Sequence, residues 1–155
     1  MSRPIELAVR LSWYMIKNRY LMGRKKYPLV TMLEPLEACN LACEGCGRIR
    51  EYESVIDRLM TVDQCLTAVN ESDAPIVSIA GGEPTMHPNI DEIVAKIIEQ
   101  KRFVYMCTNA LLMERVMKKI PPSKYFCFVV HMLSLIHISE PTRRTPISYA
   151  VFCLK

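Results

Sequence analysis

Apolar and polar positions along the chain follow first one period and then two in alternation. From residue 4 to residue 23, Ile5, Leu7, Ala8, Val9, Leu11, Trp13, Tyr14, Met15, Ile16, Tyr20 and Leu21 spread over much of a helix, with Pro4 suited to its first turn. Arg3, Arg10, Lys17 and Arg24 recur every seven residues along it as one slowly drifting stripe. Beyond it, "YPLVTMLEPL" (27–36) is a short extended apolar run. "TVDQCLTAVNES" (61–72) opens with Thr61 and Gln64 at capping-box spacing and predicts a helix. "APIVSIA" (74–80) predicts a buried strand. "NIDEIVAKIIEQ" (89–100) puts Ile90, Ile93, Val94, Ile97 and Ile98 on one helix face, with Asn89 as N-cap. "RFVYMCT" (102–108) predicts a strand, "ALLMERVMKK" (110–119) a helix stopped by Pro121 and Pro122, and "KYFCFVVH" (124–131) a further strand. Alternating strands and helices predict an α/β fold with a parallel sheet. The one boundary falls near residues 24–28. It divides a basic amphipathic helix (1–26) from the body of the domain (27–132).

Composition narrows this picture. The 155 residues are 50% hydrophobic and 23% charged, the profile of one modest soluble domain. No run of eighteen apolar residues predicts a transmembrane helix, and no secretory leader opens the chain. The expected location is therefore the cytoplasm, with reduced thiols. The net charge of +4 is uneven: residues 1–26 hold seven Lys/Arg against Glu6 alone. A contact made by that segment is expected, not a protein built around nucleic acid. Two readings stay open for the helix. It packs on the domain with a solvated basic stripe, or it lies peripherally on an anionic membrane, at the inner face.

The end of the chain is different. "LSLIHISEPTRRTPISYAVFCLK" (133–155) resembles a translated sequencing-library adaptor: Leu133 to Arg143 match a transposase end, and Ile147 to Leu154 a flow-cell segment. Residues 133–155 are therefore read as a non-native tail and kept out of the fold prediction. His137 and Cys153 then carry no function. The natural sequence is expected to continue differently after Met132, and the chain as it stands is expected to be inactive.

In a parallel α/β barrel, chemistry collects on the loops at the C-terminal ends of the strands. The first such loop holds Cys39, Cys43 and Cys46, the second "GGEPTMHP" (81–88), and the third Cys107, Thr108 and Asn109. The spacing C-x3-C-x2-C suits three corners of an iron–sulfur cubane, with one iron left open for chemistry. The alternative is a zinc site completed by Cys65 or another thiol. Gly81 and Gly82 let backbone approach a ligand, Glu83 offers a carboxylate to a cationic amine, and Pro84 stiffens the turn. Cys107 shares a strand side with Phe103 and Tyr105. Its weak S–H bond suits hydrogen donation to a carbon radical, against the plainer reading of an inert core cysteine. His87 reads as a turn or surface histidine, and His131 as a pocket candidate at the mouth. Cys65 and Cys127 read as core, and Met60, Met86 and Met113 as gap-filling side chains.

Cys39-x3-Cys43-x2-Cys46 together with Gly81-Gly82-Glu83-Pro84 resembles the radical S-adenosylmethionine (SAM) superfamily. The resemblance covers residues 28–132. It implies a partial (β/α)6 barrel, truncated here after about four strands and preceded by the amphipathic helix. It also implies a [4Fe–4S] cluster on the three cysteines and SAM against residues 81–84. Asn109 then hydrogen-bonds near the nucleoside, and an external electron donor such as a flavodoxin or ferredoxin is needed. A narrower resemblance is to the adenosyl-hopene transferases of hopanoid biosynthesis. It rests on Leu33-Glu34-Pro35-Leu36, on Gly47, and on Cys107-Thr108-Asn109-Ala110, where most relatives have Gly at the Ala110 position. It implies addition of the 5′-deoxyadenosyl radical to hopene (diploptene), a membrane triterpene. Two other classes stay open: a radical SAM enzyme abstracting hydrogen from a peptide or small metabolite, and a non-catalytic iron–sulfur or zinc module.

Overall fold

The computed structural model describes residues 3–43, 46, 53–132 and 148–152. Helix α1 (Arg3–Ile16) runs on into a wider π-helical turn, Lys17–Leu21. Strand β1 (Val30–Leu33), helix α2 (Val62–Ser72), strand β2 (Ile76–Ile79), helix α3 (Ile90–Glu99), strand β3 (Phe103–Thr108), helix α4 (Met113–Met117) and strand β4 (Phe126–Met132) then alternate. The strands lie side by side in chain order, and the first four are parallel to one another. This is the α/β arrangement with a parallel sheet that the alternation predicts, and it agrees with the partial barrel that the resemblance implies. A fifth strand, β5 (Ser148–Phe152), pairs antiparallel with β4. It belongs to the stretch set aside as a non-native tail. The open edge of β4 accepts an extended segment whatever its origin, because ladder bonds are made by backbone. His137 and Cys153 lie outside the described residues, as does Gly47.

Register sorts the strand residues onto two faces. Leu33, Val77, Ile79, Val104, Met106, Phe126, Phe128 and Val130 share one core cluster with Cys65 and Val69 of α2, Ile90, Ile93, Val94 and Ile97 of α3, and Val116 of α4. The helices thus cover one face, as crossover connections require. The opposite face carries Met32, Ile76, Ser78, Tyr105, Cys107 and Val129, which line up across the four strands. That face is the inner wall of the partial barrel. Cys65 and Cys127 are buried as expected.

Local chemistry explains most element ends. The capping box forms: Gln64 N–H donates to Thr61 Oγ1 at 3.2 Å, and Thr61 N–H to Gln64 Oε1 at 2.8 Å. Strand β1 is shorter than the predicted run because Pro28 and Pro35 bracket it without N–H donors. Asn89 precedes α3 but makes no side-chain cap; its N–H donates to His87 Nδ1 at 3.1 Å. Helix α4 has 5 residues where ten were predicted. Thr108 Oγ1 accepts from Ala110 N–H and Asn109 Oδ1 from Leu111 N–H, both at 3.0 Å. Those side-chain turns, with Ala110 at a left-handed φ of 68°, hold residues 108–111 out of the helix.

Helix α1 docks beneath the sheet. Its contacts are with Pro28, Lys101 and Tyr125, each just before a strand begins. Among the described residues no helix is long and apolar enough to cross a membrane.

Candidate functional site

The mouth of the sheet is built by three loops that hold one another. The first, residues 34–38 after β1, is pinned from one side by residues 58–60: Met60 N–H donates to Pro35 O at 2.8 Å, and Leu36 bridges Leu59. It is pinned from the other side by the second loop. Ala80 N–H donates to Leu33 O (2.8 Å), Gly82 N–H to Leu36 O (3.1 Å) and Glu83 N–H to Ala38 O (2.8 Å). The stretch leading into Cys39 is therefore fixed before any cofactor binds.

The two glycines make this contact possible. Gly81 has φ of 121°, and a Cβ there would meet Leu36 O at 2.5 Å. A Cβ on Gly82 would overlap the carbonyl oxygens of Glu37 and Ala38. The backbone that approaches so closely is that of the cysteine loop itself. The carbonyls of Gly81 and Gly82 accept no hydrogen bond among the described residues.

Glu83 departs from its expected place. Its side chain is buried at 1% exposure. Oε1 accepts from Thr85 N–H (3.1 Å), Thr85 Oγ1–H (2.6 Å) and Thr108 Oγ1–H (2.7 Å), while Oε2 accepts from Asn109 N–H (2.8 Å). A buried carboxylate must be satisfied, and here the chain satisfies it internally. The group clamps the second loop to the end of β3 and does not project into the mouth. Pro84 is buried at the first position of the short turn Pro84–Met86. Arg115 of α4 donates to Thr85 O at 2.5 Å.

Asn109 is likewise engaged. Its Nδ2–H donates to Asn40 Oδ1 at 2.7 Å, joining the third loop to the residue after Cys39. Asn40, Thr85 and Arg115 escaped the sequence reading, whereas that reading puts Thr108 on the third loop without a role.

The three cysteines are half-buried. Cys46 N–H donates to Cys43 O at 3.1 Å, closing a tight turn. Burial pushes the Cys43 thiol up, and the neighbouring Cys39 and Cys46 charges push it further. The thiols therefore share one locality, though among the described residues no three ligating groups already stand at metal-holding distance. Cys65, which would complete a zinc site, sits at zero exposure in the helix-side core. Three clustered thiols without that fourth fit a cluster with one open corner better than a closed zinc site.

Cys107 lies on the inner face, half-buried. Burial raises its thiol above the ordinary value, a hydrogen bond with the Ser78 side chain lowers it, and the Glu83 charge adds a smaller rise. It is held as a neutral thiol. His87, expected at a turn or surface, is buried: Nε2 bonds Met60 O at 2.9 Å while Nδ1 accepts from Asn89 N–H. It is a strut between two loops. His131 is exposed at the end of β4.

The family profile of the Radical SAM superfamily matches residues 33–143. The chain belongs to the radical SAM superfamily. Enzymes of this superfamily use a [4Fe–4S] cluster and SAM, and these are the cofactors of this fold. Among solved structures, Streptococcus suis SuiB bound to S-adenosylmethionine is 26% identical, with a TM-score of 0.50, over 64% of this chain and 22% of that one. SuiB bound to precursor peptide SuiA is 24% identical, with a TM-score of 0.53, over 78% and 27%. The chain thus spans about a quarter of the length of these proteins. No curated protein matches it significantly.

Proposed function

We propose that residues 27–132 are the N-terminal part of a radical SAM enzyme that joins the 5′-deoxyadenosyl group to the terminal alkene of hopene. Cys39, Cys43 and Cys46 would hold the cluster, and the Gly81–Gly82 backbone would receive the methionine end of SAM. With cluster and SAM bound, one electron from an external donor such as a ferredoxin or flavodoxin cleaves SAM to methionine and a 5′-deoxyadenosyl radical.

The substrate class is supported by the inner wall. Met32, Ile76, Ser78, Tyr105, Cys107 and Val129 include no Asp, Glu, Lys or Arg. Such a surface suits a hydrocarbon, and the one titratable imidazole on that side among the described residues, His131, stands at the end of β4 rather than within the wall. Hopene itself rests on the resemblance carried by the Leu33–Leu36 and Cys107–Ala110 blocks. Addition to the CH2 carbon forms a C–C bond and leaves a tertiary carbon radical. Cys107 is the hydrogen source on this wall: its S–H would transfer a hydrogen atom to that carbon and leave a thiyl radical. One electron from the external donor and one proton would then restore the thiol.

The test is anaerobic reconstitution of the complete enzyme that carries this segment, supplied with SAM, a one-electron donor and diploptene. Adenosylhopane is the expected product. In Cys107→Ala, adenosylhopane should fall at least tenfold while 5′-deoxyadenosine or off-pathway adducts persist. Adenosylhopane at the original rate would leave Cys107 as core packing. SAM cleavage that needs a peptide or a polar metabolite would replace hopene by hydrogen abstraction. Bound zinc without sulfide, and no SAM cleavage, would replace the enzyme by a metal module.

A further inference from the structure

Helix α1 leaves much of its apolar surface outside. Its docked side carries the polar residues Glu6, Arg10, Tyr14 and Asn18, spaced four apart, beside the half-buried Leu7 and Leu11. Glu6 meets Lys124 Nζ at 2.9 Å and accepts from Tyr125 Oη–H at 3.0 Å. Arg10 donates to Tyr125 Oη at 2.9 Å, and Tyr14 Oη–H donates to Pro28 O at 3.0 Å. Asn18 is buried. A second stripe, Ile5, Val9, Ile16 and Tyr20, faces solvent with exposures between 46% and 79%, Leu21 and Met22 extend it, and Trp13 stands at its edge, where it also lines the groove towards Pro75, Lys101 and Phe103. A surface helix ordinarily turns such a stripe inward. Here the polar contacts fix the helix so that it cannot.

Cations stand beside the exposed stripe. Lys17, Arg19, Arg24, Lys25 and Lys26 are all exposed, and among the described residues none has a carboxylate partner. An apolar row that ends in unpaired cations is complementary to a surface with an apolar interior and an anionic skin. Tyr20 within the row and Trp13 at its edge have the amphipathic rings favoured at headgroup level.

We infer that the outer face of α1 docks this protein on an anionic lipid bilayer, with Ile5, Val9, Trp13, Ile16 and Tyr20 at the acyl boundary and the Lys17–Lys26 cations on lipid phosphates. The inference stands apart from the chemistry at the mouth and does not depend on hopene. It also orients the molecule. α1 lies under the N-terminal ends of the strands, whereas Asn40, Gly81 and Asn109 lie at the other ends. A six-residue strand such as β3 spans roughly 20 Å, so the mouth faces away from the lipid. The helix tethers the domain and does not open the site onto the bilayer.

Vesicle sedimentation of the full chain tests this, with phosphatidylcholine vesicles against vesicles containing about one third phosphatidylglycerol. Binding to the anionic vesicles alone is expected, weakening as salt is raised, with a blue shift of the single tryptophan, Trp13. Two variants separate the contributions. Ile5→Ser/Val9→Ser/Ile16→Ser alters only exposed side chains and should bind at least tenfold more weakly, with circular dichroism confirming the fold. Arg19→Gln/Lys25→Gln/Lys26→Gln spares Arg24, which donates to the buried Asn18 Oδ1 at 3.2 Å, and should bind at least tenfold more weakly and lose most of the salt dependence. Failure to bind anionic vesicles, or equal binding by either variant, overturns the inference. Self-association lost in the serine variant, without vesicle binding, overturns it in favour of a second copy of the chain.

Discussion

Asn109 donates its side-chain amide to Asn40 Oδ1 at 2.7 Å, so the loop that ends β3 holds the residue beside Cys39. The same Asn109 gives its backbone N–H to Glu83, the residue that anchors the Gly-Gly loop. One residue thus relates all three loops of the mouth.

If that relation is energetic as well as geometric, Asn40→Ala and Asn109→Ala will not be additive. A double-mutant cycle on unfolding free energy should give a coupling of about 0.5–1 kcal/mol. A coupling near zero would show that the bond contributes nothing in solution.

Glu83→Ala removes the acceptor of four hydrogen bonds in a buried place. The stranded donors should cost about 3 kcal/mol or more of stability, read as a lower urea midpoint. Glu83→Gln keeps the shape but turns an amide NH2 towards donors, so a loss of about 1–3 kcal/mol is expected. An unchanged midpoint in both would mean that the carboxylate is not the clamp.

Gly82→Ala would place a methyl group on the carbonyls of Glu37 and Ala38. Iron and sulfide bound after reconstitution should fall well below stoichiometric. Gly23→Ala is the control: its φ is also positive, but it faces open space far from the cysteines. Full cluster loading in Gly82→Ala would separate the two loops functionally.

Ala110 holds a φ of 68° that a methyl side chain adopts at a cost. Ala110→Gly should raise the unfolding free energy by about 0.5–1 kcal/mol despite the looser unfolded chain. A destabilised variant would show that Ala110 packing against the core outweighs the backbone strain.

The contact of Glu6 should respond to acid. The hydrogen bond from Lys124, then that from Tyr125, holds the Glu6 carboxyl below its ordinary value. A carboxylate lowered on folding contributes stability that is present above its unfolded pKa and lost as pH falls through its folded one. Trp13 lines the groove between α1 and Lys101 and Phe103, so its fluorescence should change below about pH 4.5 in the wild type and flatten in Glu6→Gln. Identical profiles would place the transition elsewhere.

What could be read from the chain alone was whatever local physics decides. Apolar periods of two and 3.6 marked β1 to β4 and the helices between them, and Thr61 with Gln64 marked the start of α2. Motif spacing marked the mouth, because C-x3-C-x2-C and Gly-Gly-Glu-Pro are each contiguous in sequence. What the tertiary structure decided were matters of distant partnership. Glu83 turned inward because Thr108 and Asn109, 25 and 26 residues on, arrive with donors. His87 became a strut because Met60 O lies within reach. Helix α4 shortened because the side chains of Thr108 and Asn109 captured the N–H groups that would have begun it. The face of α1 is the clearest case. Periodicity leaves open whether its apolar stripe packs on the domain or faces outward, but Lys124 and Tyr125, more than a hundred residues away, offer the polar stripe charged and hydroxyl partners. A satisfied polar stripe can dock only by leaving Ile5, Val9, Trp13 and Ile16 outside, and no period of four residues can announce which stripe will find its partner.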